Sequence, residues 1–259
     1  LLVLLKKEKI MISSVKVCVI GGGSSGIATA KVLFQAGIDF DCFEKGSKIG
    51  GNWLFNNDNG QSSSYQSLHI NTSKQLMAFS DYPMPDDYPD YPHHSLIYQY
   101  FENYIDHFGF RDKIHFSTSV LNVKKIGEHK YIVQTDRFAS KEYTHVIVAN
   151  GHHWKPKYPT FEGKFSGTTS HSHDYKSYLG FEDKKVLIVG IGNSAVDIAC
   201  ELSTVSKKVT ISTRSGAYII PKYLFGKPTD HISKPPLSYA PLFIQRIALK
   251  LALKLNVGN

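Results

Sequence analysis

An α/β chain built from two successive strand–turn–helix units is the fold class the sequence predicts, and three observations predict it. Residues 15–21, VKVCVIG, are β-branched and apolar as a buried parallel strand should be, and GGGSSGIATAKVLFQAG follows with helical periodicity through Ile27, Val32 and Leu33. Residues 184–202, KKVLIVGIGNSAVDIACEL, repeat that grammar. Between them, the helix-like SLIYQYFENYIDHFGF (95–110) precedes the strand-rich KIHFSTSVLNVKK, KYIVQTD and YTHVIVANG, a meander returning to the first sheet. Strand, glycine turn and helix in that order make a Rossmann-like arrangement, so two dinucleotide-binding domains are expected.

Length and composition agree. At roughly 150 residues per domain, 259 residues allow one or two domains with a sizeable core. Apolar residues make up 42% and charged ones 20%, and no run approaches the ~18 apolar residues of a transmembrane segment. Cys18, Cys42 and Cys200 are odd in number, far apart and set in apolar runs, which predicts buried reduced thiols and a cytoplasmic setting, with no disulfide framework or CxxC site. The net charge of +8 divides unevenly: residues 1–175 contribute +1 and residues 176–259 contribute +7. Such an excess asks for an anionic partner. No aromatic–basic RNA motif, zinc finger or dense basic run occurs, so no nucleic acid is expected, and a phosphorylated small molecule bound late in the chain fits. The opening LLVLLKKEKI puts its apolar block ahead of its lysines, the reverse of a secretory signal, and Met11 directly precedes the first strand, so residues 1–10 read as an upstream extension. At the other end, PLFIQRIALKLALKLNVGN is rich in Ala, Leu and Lys and reads as a helix facing a core, although Arg246, Lys250 and Lys254 share a face.

In the first turn Gly21, Gly23 and Gly26 satisfy GxGxxG. The first glycine permits the tight turn, the second lets backbone approach a pyrophosphate, and the third lets helix and strand pack closely, while the helix N-terminus offers unpaired N–H donors. The next strand, IDFDCFE, ends on Glu44, 23 residues after Gly21, where a carboxylate accepts hydrogen bonds from ribose hydroxyls. Gly22, Ser24 and Gly26 also satisfy the GxSxG of a hydrolase nucleophile elbow, which sits in the same context, and at this step that alternative stays open.

The second turn changes the balance. Gly190, Gly192 and Ala195 form GxGxxA, for which a hydrolase has no use and an enzyme passing electrons between two dinucleotides has a direct one. The strand KKVTISTRSG after it ends without an acid; Arg214 stands 24 residues after Gly190, roughly where the first unit has Glu44. An arginine there accommodates a ribose phosphate, so the first unit reads as an FAD (or NAD) site and the second as an NADPH site. Ala149, Asn150 and Gly151 are small enough to let backbone reach the edge of the first site. His171 and His173 form HxH, but two ligands without neighbouring Cys or clustered carboxylates make no zinc site, and no metal is expected. The pairs His93/His94 and His152/His153 are placed in exposed loops without a role.

Further residues narrow the family. FSGTTSHSHDYK places Phe165, Gly167, His171, Tyr175 and Lys176 in the pattern FxGxxxHxxxYK, which resembles the fingerprint of the flavin-containing monooxygenases. EKGSKIGGNW around Glu44, Gly51 and Trp53, SLHINTSKQLMAFSDYPMP around Asn71, DDYPDY (86–91) and GNSAVD (192–197) follow in that family's order, and the resemblance covers residues 15 to about 230. Asn52 departs from the apolar residue often found before the tryptophan. Related Baeyer–Villiger monooxygenases usually end the fingerprint with Trp where this chain has Tyr175, which favours heteroatom oxygenation over ketone oxygenation.

The resemblance implies an NADPH-dependent flavin monooxygenase similar to the N,N-dimethylaniline monooxygenases. It would take a small-molecule amine or sulfide and O2, and oxygenate the soft N or S atom through a flavin hydroperoxide. The alternatives are Baeyer–Villiger chemistry or an inactive nucleotide-binding fragment. It further implies that Gly21, Gly22, Gly23, Ser24, Ser25, Gly26, Glu44, Lys45, Gly51, Asn52, Trp53 and Thr72 hold FAD, that Gly190, Gly192, Asn193, Ser194, Asp197, Ser212 and Arg214 hold NADPH, and that Asn71 is the catalytic residue where the cofactors meet. Residues 11–175 are then the FAD-binding domain and 176–259 an incomplete NADPH-binding domain inserted in it. The C-terminal completion of the FAD domain is missing on this reading, so the chain alone is expected to hold FAD weakly. A homo-oligomer is compatible with the sequence.

Overall fold

The computed structural model describes residues 15–217, 219–231 and 239–257; the apolar opening block, Met11 and residues 12–14 lie outside the described residues. Two compact units are present, one holding the chain through Leu68 with His94–Ser177, the other His69–His93 with Tyr178 onward. Residues 69–93 thus belong structurally with the second unit.

In the first unit, β1 (Lys16–Ile20), α1 (Ser24–Gln35) and β2 (Asp39–Phe43) form the expected opening. α2 (His94–Phe108) follows, then β3 (Ile114–His115), β4 (Val120–Gly127), β5 (Lys130–Thr135), β6 (Lys141–Tyr143) and β7 (His145–Val148). Strands β3-β2-β1-β7 make a parallel sheet, and β4-β5-β6 make the predicted antiparallel meander. Val17, Cys18 and Val19 are fully buried, as the unbroken apolar run of β1 requires. In α2, His94, Ile97, Phe101, Tyr104 and Ile105 recur at helical spacing and bury one face. His94 therefore corrects the expectation of an exposed loop: it opens the helix and its ring packs 5.3 Å from that of Phe55. Cys18, Phe43, Val133 and Tyr143 form an apolar cluster joining sheet and meander. At its edge Asp41 accepts hydrogen bonds from Tyr143 Oη (2.6 Å) and from His115 Nε2 (2.8 Å), with Lys141 Nζ 3.5 Å away. Burial alone would raise the Asp41 carboxyl; the two hydrogen bonds and the lysine charge override it and hold it below its usual value.

In the second unit, β8 (Lys185–Val189), α3 (Asn193–Leu202) and β9 (Lys208–Ser212) repeat the strand–turn–helix–strand unit, the strands pairing in parallel from Lys185↔Lys208 to Val189↔Ser212. A short hairpin, β10 (Tyr223–Leu224) and β11 (Lys227–Pro228), precedes α4 (Leu242–Val257). α3 buries Ile198, Ala199 and Leu202, yet Leu187 and Val189 of β8 remain exposed. Two expectations are corrected here. α4 does not face a core, because Ile244, Ile247, Leu251 and Leu255 are exposed, the small β10 hairpin being too little to cover them. Cys200 is exposed on α3, while Cys18 and Cys42 are buried as predicted. No helix among the described residues is long and apolar enough to cross a membrane.

Candidate functional site

The first glycine turn is held by contacts that leave no room for side chains at Gly21 and Gly26. Gly21 has φ of +107°, its N–H donates to the Phe43 carbonyl at 2.8 Å, and a Cβ on it would come within 2.6 Å of the Ala149 oxygen. Ala149 is delivered there by β7, its own N–H bonded to the Ile20 carbonyl at 2.8 Å, so the ANG segment reaches the turn as its small residues suggested. A Cβ on Gly26 would lie 1.8 Å from the Gly21 carbonyl oxygen. Gly23 caps α1 with no side chain bonded across its first amides and no acid in the first turn, leaving Ser24 and Ser25 exposed at a donor-rich helix end suited to an anion. The Gly50 N–H donates to the Gly22 carbonyl at 3.0 Å, and Gly51, Asn52 and Trp53 form a short turn whose Gly51 backbone packs on Gly23.

Glu44 closes this site from the end of β2. It is 4% exposed and accepts from the Gly22 N–H at 2.6 Å and the Gly46 N–H at 2.7 Å, with Asn59 Nδ2 at 3.4 Å. A carboxylate has about four acceptor positions, so capacity remains for a ribose hydroxyl. Lys45 is exposed beside it. Asn52 is committed elsewhere, its Oδ1 accepting from both the N–H and the Oγ of Ser63 at 2.8 Å, so its side chain braces the chain at 62–63. Close backbone approach, a donor-rich helix end and a buried carboxylate together fit a dinucleotide.

The second turn has the same backbone with a different closure. Gly190 has φ of +118° and donates to the Ser212 carbonyl at 2.8 Å; Gly192 caps α3, which carries Asn193 and Ser194 in its first turn and Asp197 just beyond it, all exposed. The Gly190–Ser212 bond is the counterpart of Gly21–Phe43, which puts Thr213 in the register of Glu44 and Arg214 in that of Lys45. Thr213 stands 23 residues after Gly190, the same spacing as Glu44 after Gly21, but was passed over in the sequence for the charged Arg214 one position further on. No acid stands at either position, and Arg214 is exposed.

Asn71 and Thr72 fall in the second unit, Asn71 exposed and Thr72 half-buried. The fingerprint residues turn out to be a clamp within the first unit. Lys176 Nζ donates to the carbonyls of Ser62 (2.7 Å) and Ser64 (3.1 Å), its own carbonyl accepts from Gln66 N–H (2.8 Å), and the Tyr175 ring packs 5.9 Å from Tyr65. Burial lowers the Lys176 ammonium below its usual value. His171 uses Nδ1 to accept the His173 N–H at 3.1 Å, and among the described residues no cluster of His, Cys, Asp or Glu could hold a metal ion.

Two glycine turns of one backbone, each between a parallel strand and a helix, define a protein with two dinucleotide-binding units. The chain belongs to the flavin-binding monooxygenase-like family, which it matches over residues 14–239. It is 40% identical over 243 residues to flavin-containing monooxygenase 5 of Cavia porcellus, covering 86% of this chain and 45% of that protein. Against dimethylaniline monooxygenase [N-oxide-forming] 2 of the same species it is 41% identical over 218 residues, covering 79% and 41%. The solved S-allyl-L-cysteine S-oxygenase from Allium sativum is similar in fold, with a TM-score of 0.72 at 28% identity, over 82% of this chain and 54% of that one. The chain thus spans about half the length of the relatives it matches.

Proposed function

We propose that the chain carries the cofactor-binding turns of a flavoprotein monooxygenase that uses NADPH and O2 to oxygenate soft nucleophilic nitrogen or sulfur atoms of small molecules. The observation that carries this reading is the pairing of two turns with one backbone and two closures, a buried carboxylate at Glu44 and a Thr213–Arg214 pair. The names of the relatives, an N-oxide-forming and an S-oxygenating enzyme among them, support the substrate class. On this reading residues 11–175 serve FAD and residues 176–259 serve NADPH.

Bound FAD would supply the redox chemistry, taking a hydride from NADPH and activating O2. The chain's own residues bind and orient. The amides opening α1 would meet the FAD pyrophosphate and Glu44 would accept from its ribose, with Lys45, Gly51 and Trp53 of the same unit beside them. Ser194, Asp197 and Ser212 line the NADPH site, and Arg214 pairs with the ribose phosphate, which a carboxylate in that place would repel. Asn71, in the second unit, carries an amide that can both donate and accept a hydrogen bond, and we read it as the catalytic residue. The buried thiols suit a reducing compartment, the Cys18 thiol being pushed up to about 12 by burial first and Asp41 second, and we assign the protein to the cytoplasm. The test is optical. Supplied with FAD, the protein is expected to turn yellow, to bleach anaerobically with NADPH faster than with NADH, and to recover in air; a protein that takes up no flavin when supplied with it overturns the reading.

A further inference from the structure

The Asn71 segment is fastened from a distance, and the fastening residues are not among those that any cofactor motif singles out. Ser73, fully buried, donates its N–H to Asp230 Oδ2 at 2.6 Å, and its Oγ shares a hydrogen bond with His231 Nε2 at 3.0 Å. Serine, histidine and aspartate together suggest a hydrolytic triad, and the geometry excludes one. Ser73 is closed to solvent, and Asp230 grips the serine's own amide while standing 4.0 Å from the histidine. The arrangement is an anchor.

Two further ties give the anchor its stiffness. The hairpin side is fixed because Thr229 donates its N–H to the Lys222 carbonyl at 2.9 Å and its Oγ1 to the Pro221 carbonyl at 2.6 Å, and Tyr91 Oη donates to the Lys222 carbonyl at 2.7 Å. The Asn71 side is fixed because Ile70 N–H donates to the Pro92 carbonyl and Lys74 N–H to the Asp90 carbonyl, while Lys74 Nζ reaches the carbonyls of Pro85, Asp86 and Tyr88. Asn71, exposed, and Thr72, half-buried, are left as a two-residue stretch between two pinned residues, Ile70 and Ser73. Asp230 Oδ1 is buried without a hydrogen-bond partner, so one carboxylate oxygen is held out of water and the other is committed to Ser73. Such a cost is retained where position matters more than stability.

We propose that Asp230 and His231 are positioning residues that set the backbone from which Asn71 projects; this rests on the reading of Asn71 given above. Hydrogen–deuterium exchange on the FAD-loaded full chain is the first readout. Asp230→Ala is expected to speed exchange in the 70–77 segment about tenfold or more, since it removes a hydrogen bond to a charged acceptor, and to leave 15–45 unchanged. Asp230→Asn keeps one carbonyl oxygen that can take the place of Oδ2 in accepting the Ser73 N–H and should restore most of the protection, and His231→Gln should loosen the same segment to a smaller degree. The second readout is the fraction of consumed NADPH that appears as hydrogen peroxide. Asn71→Ala and Asp230→Ala should both raise it severalfold, and the double variant should be no worse than Asn71→Ala alone. Unchanged exchange in Asp230→Ala overturns the anchor. If Asn71→Ala raises peroxide and Asp230→Ala does not, only the positioning role falls; if Asn71→Ala changes nothing, the reading of Asn71 falls first.

Discussion

Replacing Glu44 by Gln tests whether the carboxylate that closes the first turn also builds it. The side chain accepts from two backbone amides, Gly22 at 2.6 Å and Gly46 at 2.7 Å, through different oxygens. A glutamine keeps one oxygen and turns the other into an NH2 group, which faces an N–H it cannot accept from. One charge-assisted bond then becomes neutral, a loss of about 1 kcal/mol, and one buried amide is left unpaired at about 1–3 kcal/mol, for a total of about 2–4 kcal/mol. At roughly 2–4 °C per kcal/mol for a chain of this size, the melting temperature should fall by about 4–16 °C. FAD should be lost as well, because the ribose acceptor is weakened together with the turn. Thermal unfolding of the apoprotein isolates the structural share, and the flavin-to-protein absorbance ratio after gel filtration reports the ligand share. An apoprotein that melts within about 1 °C of the unmodified chain would show that Glu44 does not hold the turn, whatever it does for FAD.

Gly26→Ala would put a methyl 1.8 Å from the Gly21 oxygen, so it should cost at least about 1–3 kcal/mol and abolish FAD retention, while Ala195→Gly in the second turn should cost only about 1 kcal/mol; calorimetry and flavin content read both. Asp41→Asn should destabilise by about 1–3 kcal/mol at neutral pH. The folded-state carboxyl is held below the unfolded value of 3.8, so its contribution is present above that pH and is lost as pH falls through the folded value; the gap in melting temperature between the two proteins should close in acid, and a gap independent of pH refutes the assignment. Arg214→Ala should weaken NADPH binding about tenfold and leave NADH binding and FAD content intact, and equal use of NADPH and NADH by the unmodified protein contradicts it.

What the sequence disclosed, and what it did not, divides by distance along the chain. β1, α1, β2, β8, α3 and β9 were legible because a buried strand and a half-buried helix each leave a periodic apolar signature, and the glycines mark where one period gives way to the other. Glu44 was legible because its distance from Gly21 is set by one helix and one strand. The same 23-residue spacing puts Thr213 in that register at the second turn, as the Gly190–Ser212 hydrogen bond confirms, but a neutral threonine carries no charge signal and the assignment fell on Arg214 beside it. Ser73 and Asp230, 157 positions apart, share no local pattern that pairs them. His94, Cys200 and α4 were misplaced for a related reason: apolar periodicity reports what a segment is suited to bury, whereas burial depends on the neighbours the fold supplies.

That distinction separates the two glycine turns and yields a probe specific to the ligand. In the first turn the protein itself requires Gly21 and Gly26, since Gly21 is backed by Ala149 and Gly26 by Gly21, whereas a Cβ on Gly23, the counterpart of Gly192, would meet only the Gly51 backbone at 3.7 Å. In the second turn Gly190 is required by its φ of +118°, but Gly192 has an ordinary φ of −74° and nothing within 4 Å of where a Cβ would stand. The folded chain gives no reason for glycine at 192. A ligand does, because a pyrophosphate crossing the start of α3 must approach that backbone closely. Gly192→Ala should therefore leave the melting temperature unchanged or slightly raised, through the lower chain entropy of the unfolded state, while NADP+ binding measured by calorimetry weakens sharply. Full affinity in that variant would mean that no pyrophosphate passes over the second turn, and the NADPH assignment would have to move elsewhere in the unit.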